Sequence, residues 1–572
     1  MDKIFQTCII LLIQVALSGS VTLYINNNHK YPNPDGSRDN PYYSFQEAVE
    51  ADVFSDISSS DFTIIFATSN TIYQVSFPSE FYLNNNKLIN MTFSSGVNDL
   101  KGAECSIYPT IEIQNNNYSS PGLTGDNIHI SMNKLIVTIP EQSNLGVALN
   151  FKSTSTLNGY FSNMCIMSRS FSSTKPYMLG FRADIEMNLA FENIAFIGLY
   201  NEEMNGMMQA NLPTKANISI NNMNISINSE DSSTSYSGIF KFQSASSSPT
   251  QIITINQSIL TGAITTPVAG AGLQPALFEI SNISSVQIMN FKSDSFISYR
   301  NYSGFIIQEA STITLDQVSI KNMEYLISST TSFFIVKNNQ NNLSLHMSNI
   351  VIADSTRVSL LSVTGYITEF KVSNVKISNL FVGTLITETN SLFGITAYPL
   401  PNKIYNESTP LSFKKINMTN SDLQARIIYA ETIGAATEAD DEYFLIPCYR
   451  VEVKDSTFTE NRFFSIQNLK TYQGFLVLST DLSVTNTEFA GNIWSNFEIF
   501  ADALHTSNIL LSGNSFNQEI FYQTKLINAN PSEDFDNGYG STLRYRTVLL
   551  EKSSFQGIQF FDQSQLIQSQ AP

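Results

Sequence analysis

Along most of this chain one phrase of apolar and polar positions recurs. It runs apolar, any, apolar, any, Asn or a polar substitute, then an apolar residue three places on. It reads Leu189-Ala190-Phe191-Glu192-Asn193-Ile194-Ala195-Phe196 and returns as Ile218-Ser219-Ile220-Asn221-Asn222-Met223-Asn224-Ile225. Later it becomes Val451-Glu452-Val453-Lys454-Asp455-Ser456-Thr457-Phe458. With the second apolar position as anchor, the phrase falls at Leu88, Met132, Phe161, Phe191, Ile220 and Ile255. It continues at Ile288, Leu315, Met347, Val372, Phe413, Val453, Val484, Leu511 and Leu550. From Met132 to Leu550 there are 418 residues in 13 intervals, a period of about 32. A supersecondary unit repeated at that interval is the signature of a solenoid.

The local alternation has period two, so each phrase predicts a strand with one face buried. At the Asn the phase slips and alternation resumes, which requires a bend. Two residues after the anchor stand Asn90, Asn163, Asn193, Asn222, Asn290, Asn349, Asn374 and Asn486, with Gln257, Gln317 and Asp455 as substitutes. Asn tolerates the left-handed backbone such a bend demands. Stacked amides can also bond from one coil to the next. Five residues after the anchor another core position ends in Phe458, Phe489, Phe516 and Phe555, which at a strand spacing of about 4.8 Å predicts an aromatic stack.

On these residues the chain resembles the right-handed parallel β-helix, the pectin-lyase-like superfamily, in its secreted or cell-surface form. The resemblance covers roughly residues 60–565. It implies an all-β fold: a right-handed parallel β-helix solenoid with a short N-terminal capping helix. The expected organisation is a signal peptide at 1–20, an N-terminal cap of strand, turn and short helix at 21–60, the β-helix at 61–565 and a polar tail at 566–572. Within the cap region Val21-Thr22-Leu23-Tyr24-Ile25 reads as a strand and Asn33-Pro34-Asp35-Gly36 as a turn. Ser44 with Glu47 three residues on reads as a capping box.

The first residues read as an export signal: Lys3, the apolar run Ile9 to Leu17, then Ser18-Gly19-Ser20. The expected location is therefore secreted or on the extracellular surface, with no membrane insertion of the mature chain. Sequons at Asn117, Asn217, Asn224, Asn256, Asn282, Asn301, Asn342, Asn406 and Asn417 are the candidate glycosylation sites. Asn90 also begins a sequon but stands at the bend phase. Cys105, Cys165 and Cys448 remain after the signal; Cys105 with Cys165 is one pairing, and buried thiols are the other reading. A net charge of −18 argues against nucleic acid as a partner and leaves carbohydrate or other surface proteins.

The fold resembled includes polysaccharide lyases and glycoside hydrolases, and for a hydrolase the resemblance implies clustered aspartates and a histidine between glycines. None of His29, His129, His346 and His505 stands between glycines. Asp440 and Asp441 form the one paired aspartate, which can divide acid and base roles; a solvated acidic loop explains them equally. Arg450, Lys454 and Asp455 lie together, but Asp455 also replaces Asn at the bend. Asp35 and Asp39 suit calcium and are accounted for by turn formation as well. No cofactor is implied, save calcium if the chain is a lyase. The functional expectation is a non-catalytic structural, adhesive or recognition module. The alternatives are an extracellular polysaccharide lyase or hydrolase, and the ectodomain fragment of a larger anchored surface protein.

Overall fold

The computed structural model describes residues 20–28, 30–51, 61–68, 71–76, 82–96, 108–114, 122–138, 147–168, 177–200, 206–229, 239–245, 248, 250–264, 276–298, 303–325, 331–382, 391–399, 408–433, 449–464, 472–478, 480–502, 508–528, 548–562 and 564–568. These form two compact units, residues 1–273 and 274–572. Each is built of short strands paired in parallel with their equivalents one repeat away, the defining arrangement of a parallel β-helix. In the first unit Leu189 pairs with Ile218 and Phe191 with Ile220. In the second Val451 pairs with Leu482 and Val453 with Val484.

The period-two pattern does what it predicts. The anchor and the residue two before it face inward and are almost wholly buried, as Ile218, Ile220, Val451 and Val453 are. Burying each such side chain contributes about 1.5–3 kcal/mol. The bends are left-handed: φ is 50° at Asn163, 55° at Asn193, 54° at Asn222 and 51° at Asn486. Asn193 Nδ2 donates to Asn163 Oδ1 at 3.1 Å, and Asn222 Nδ2 donates to Asn193 Oδ1 at 2.6 Å. In the second unit Asn349 Nδ2 donates to Asp316 Oδ1 at 2.7 Å, and Asn374 Nδ2 to Asn349 Oδ1.

The first coil departs from expectation. Phe93, not Leu88, pairs with Met132, so it is the anchor there. Asn90 pairs with His129 and therefore lies off the bend phase. The reason is local: Met91 and Phe93 are the buried pair, and they stack on Phe62 and Ile64 of the preceding strand.

Two further left-handed bends per coil follow the first in the C-terminal repeats. Asn486, Gly491 and Asn496 form one set; Gly513, Gln518 and Gln523 form the next. The residue after a bend turns inward and bonds backbone in a neighbouring coil. Asn514 Nδ2 donates to the Val484 carbonyl at 2.9 Å, and Asn492 Nδ2 to the Phe458 carbonyl at 2.8 Å. Buried backbone groups freed by the bends thus find partners.

The aromatic stack forms as expected. Phe458 lies 5.2 Å from Phe489, Phe489 lies 4.8 Å from Phe516, and Phe516 lies 4.9 Å from Phe555. Near the start, the helix Phe45–Glu50 buries Phe45 and Ala48. The Glu47 amide donates to Ser44 Oγ at 3.1 Å, while the Glu47 carboxylate accepts from the Tyr43 amide at 2.6 Å. Cys165 is disulfide-bonded, so it is not a buried free thiol.

Phe489 is sandwiched in its stack and fully buried. Its truncation, Phe489→Ala, is expected to cost about 3–5 kcal/mol. Denaturant unfolding measures this; a loss below about 1 kcal/mol would mean the stack is not a packed core.

Candidate functional site

Because equivalent residues pair coil upon coil, outward positions form columns as regular as the core. In the first unit one column runs Asp61, Asn90, His129, Asn158, Asn188, Asn217, each paired with the next. Two residues on, a second runs Thr63, Thr92, Ser131, Tyr160, Ala190, Ser219. Asp61, His129, Asn158, Asn188 and Asn217 of the first column and every residue named in the second line a groove of about 570 Å³, within the range of small-ligand sites.

The first column is wired by hydrogen bonds. Asn188 Nδ2 donates to Asn158 Oδ1 at 2.9 Å. That leaves Asn158 Nδ2 to donate to His129 Nε2 at 2.6 Å. The bond makes Nε2 the acceptor and places the ring proton on Nδ1. Burial pushes the His129 pKa below the ordinary value, against the opposing pull of Asp61. A neutral imidazole follows from both lines of evidence. Its one basic lone pair is already occupied, so it is poorly placed to take a substrate proton. The column is tied to its flank at Asn188 as well: Asn188 Nδ2 also lies 3.2 Å from Glu186 Oε1, and Glu186 pairs with Lys215 at 2.9 Å.

Tyr160 is 45% exposed, and its ring offers an apolar surface at the groove. Its hydroxyl donates to Glu192 Oε2 at 2.8 Å, and that bond holds its pKa above the ordinary phenol range. Among the described residues lining the groove, Asp61 is the one carboxylate. Calcium sites commonly draw on several carboxylates, and the described lining supplies the one of Asp61. Among the described residues no three of His, Cys, Asp and Glu converge in a metal-binding arrangement.

The candidates from sequence fare variously. Asp440 and Asp441 lie outside the described residues. Asp455 takes the left-handed bend, with φ 52°. Lys454 and Arg450 both bond Glu452, at 2.7 and 2.9 Å. Burial works against the Glu452 carboxylate, but these two cations outweigh it and lower its pKa. They form an ion network rather than a poised base. Asp35 Oδ1 accepts the Ser37 amide at 2.9 Å inside its turn. Among the sequons, Asn217, Asn224 and Asn342 stand exposed, and Asn256 and Asn282 are partly buried, as is Asn417. Asn117, Asn301 and Asn406 lie outside the described residues.

Sequence reasoning did not assemble the groove. Its signal was present as Asn at the same outward position in three successive repeats, Asn158, Asn188 and Asn217. The bend Asn, five residues further along, drew attention instead.

No family model matches this sequence, and no curated protein does. Among solved structures the chain is similar to the A-module of mannuronan C-5 epimerase AlgE4 from Azotobacter vinelandii, at 10% identity over 96% of this chain and 100% of that one, with a TM-score of 0.21. It is similar to the DFA-IIIase of Arthrobacter chlorophenolicus A6 without its lid, at 8% identity over 93% and 99%, with a TM-score of 0.16. It is also similar to the PL6 family alginate lyase AlyGC, at 9% identity over 92% and 99%, with a TM-score of 0.19. The chain's own pairing pattern establishes the parallel β-helix independently of these.

Protonating His129 turns Nε2 from acceptor to donor and breaks its bond to Asn158. The folded pKa is depressed, so the unfolded chain binds the proton more readily. The stability this group contributes is present above pH 6.5 and is lost as pH falls toward the folded pKa. Going from pH about 7.5 to about 5, wild type should lose more of its unfolding midpoint than His129→Gln does; equal losses would refute the wiring.

Proposed function

We propose that this is an exported, non-catalytic β-helix protein whose first unit binds a neutral glycan along the groove of His129, Asn158, Tyr160 and Asn188. The observation that carries the reading is the hydrogen-bonded column itself. It presents amides at strand spacing, next to hydroxyls and one exposed aromatic ring. Sugars offer the same alternation of hydroxyl edges and apolar faces, which amides and aromatic rings meet together.

Charge narrows the ligand. Among the described residues lining the groove, Asp61 is the one with a fixed charge, and it is negative. An acidic polysaccharide would be repelled there, whereas a neutral one would not. Catalysis is disfavoured because the His129 lone pair and the Tyr160 hydroxyl are both engaged within the protein. Export is supported by the leader-like start of the chain, by its sequons and by the disulfide at Cys165, a bond that persists in oxidising surroundings.

The test is a binding panel of neutral and acidic oligosaccharides read by calorimetry, with product release followed in parallel. Neutral ligands should bind. Tyr160→Ala and Asn188→Ala should each weaken them by about tenfold, the worth of one stacking or hydrogen-bonding partner. Binding confined to acidic ligands would sink the proposal, as would turnover abolished by His129→Ala.

Glycosylation gives a second check. Asn217 heads a sequon whose Asn and Ser both line the groove, so a glycan there would fill it. Peptide mapping of binding-competent protein should find Asn217 unmodified. Full occupancy at Asn217 in protein that still binds would contradict the groove as the site.

A further inference from the structure

The outward columns of the second unit carry opposed pairs of charge. On the strand Val358–Val382, Glu369 and Lys371 point outward and bond each other. On the strand Tyr449–Lys454, Arg450 and Glu452 do the same, with Arg450 Nε donating to Glu452 Oε1 at 2.9 Å. Between the two lies one coil, which contributes the strand Thr409–Thr419. Lys371 pairs with Ser412 of that strand, and Ser412 pairs in turn with Glu452. Two places back, Glu369 precedes the paired Phe370 and Leu411, and Pro410 pairs with Arg450, so Glu369, Pro410 and Arg450 form the neighbouring column. The order of sign along the strand therefore reverses across the coil of Pro410 and Ser412. It is negative then positive on one side, and positive then negative on the other.

That reversal is what a face needs to meet a copy of itself. A twofold interface is self-complementary: each residue meets the one that the rotation carries onto it. With the axis along the strand of Pro410 and Ser412, the coil before the axis in one copy lies over the coil after it in the other. Glu369 then meets Arg450 of the second copy, Lys371 meets Glu452 of the second copy, and each match is made twice. The alternatives fail. An axis along the solenoid sets Lys371 on Lys371 and Glu452 on Glu452. An axis on the coil of Glu369, or on that of Arg450, sets those charges against their own copies. An axis between coils sets one pair against Pro410 and Ser412. Like charges face to face suppress the wrong pairings. Lys414 also falls near the axis, but its ammonium is drawn to Asp455, 3.6 Å away at the bend.

We propose that this face of the second unit is an interface between two copies of the chain, joined about a twofold axis along Pro410 and Ser412. The side chains of Lys371, Arg450 and Glu369 are 61%, 44% and 40% exposed, and that of Glu452 is 11% exposed between its two cations. Each charge already has a partner in its own copy, so the second copy extends an array of alternating sign. The gain lies in orientation and choice of partner. On the axis Pro410 is exposed and Ser412 half-buried, a short row that lets the charged rows approach. Seven coils, from Thr312 to Asn508, place three on either side of the axis. At strand spacings of about 4.8 Å and 3.3 Å per residue they present roughly 500 Å². Stable complexes bury about 800 Å² per partner, so this dimer is expected to be reversible and to weaken with salt.

The experiment is sedimentation equilibrium of the full chain at about 50 mM and about 500 mM salt, on wild type, Glu369→Arg, Arg450→Glu and the double variant. Wild type should dimerise reversibly at low salt and dissociate at high salt. Each single reversal should weaken association at least about tenfold, because a like pair then meets twice. Mixed together, the two single variants should form a heterodimer, since each offers the charge the other lacks. The double variant should associate with itself again. Wild type that stays monomeric at low salt would overturn the proposal. So would single variants that dimerise as wild type does, or that stay apart when mixed. If a variant fails to fold, carbodiimide cross-linking of wild type decides, with chains carrying light and heavy nitrogen mixed beforehand. Links between Lys371 and Glu452 that join a light chain to a heavy one support the interface; links confined to one chain refute it. The glycan groove lies in the first unit, so neither reading depends on the other.

Discussion

Everything in this protein depends on coil-to-coil register. Within each unit a residue pairs with its equivalent one repeat away, so every choice of side chain is copied into a column. An inward column is core, and an outward column is surface. A slip of one residue would exchange them along the whole strand. The left-handed bends at Asn163, Asn193 and Asn222 prevent that slip, because each restarts the alternation at the same point of the coil. Their amides, bonded in series, make the restart of one coil depend on the next.

The same constraint explains why the core was legible and the surface was not. Ile218, Ile220 and their equivalents must be apolar, so the anchor phrase survives in the sequence and announces the β-helix. It misled only at Leu88, where two overlapping alternations compete and the burial of Met91 and Phe93 decides. The second and third bends of the late coils carry no uniform residue: Asn, Gly and Gln all serve, because the inward polar residue that follows does the anchoring. Outward residues answer to no packing rule. His129, Tyr160 and Asn188 become neighbours only when repeats of about thirty residues are laid in register. Reading for adjacent pairs instead favoured Asp440 and Asp441, which lie outside the described residues.

The groove and the buried line of Asn461 and Asn492 are two uses of one architecture. A polar residue repeated outward becomes a line of amides at strand spacing, with little charge and a fixed direction of hydrogen bonding. A polar residue repeated inward becomes a line of backbone anchors, as at Asn461 and Asn492. Solenoids localise the effect of a change in either line, because each coil touches only its neighbours.

On the proposed reading, stacked outward columns in the first unit form a glycan site. A crystal structure of the chain soaked with a mixture of neutral oligosaccharides tests it most directly. Sugar density is expected across several coils, against His129, Asn158, Tyr160 and Asn188, with the Asn158 to His129 bond intact. Density elsewhere on the protein, or a bare groove beside a correctly stacked β-helix, would contradict it.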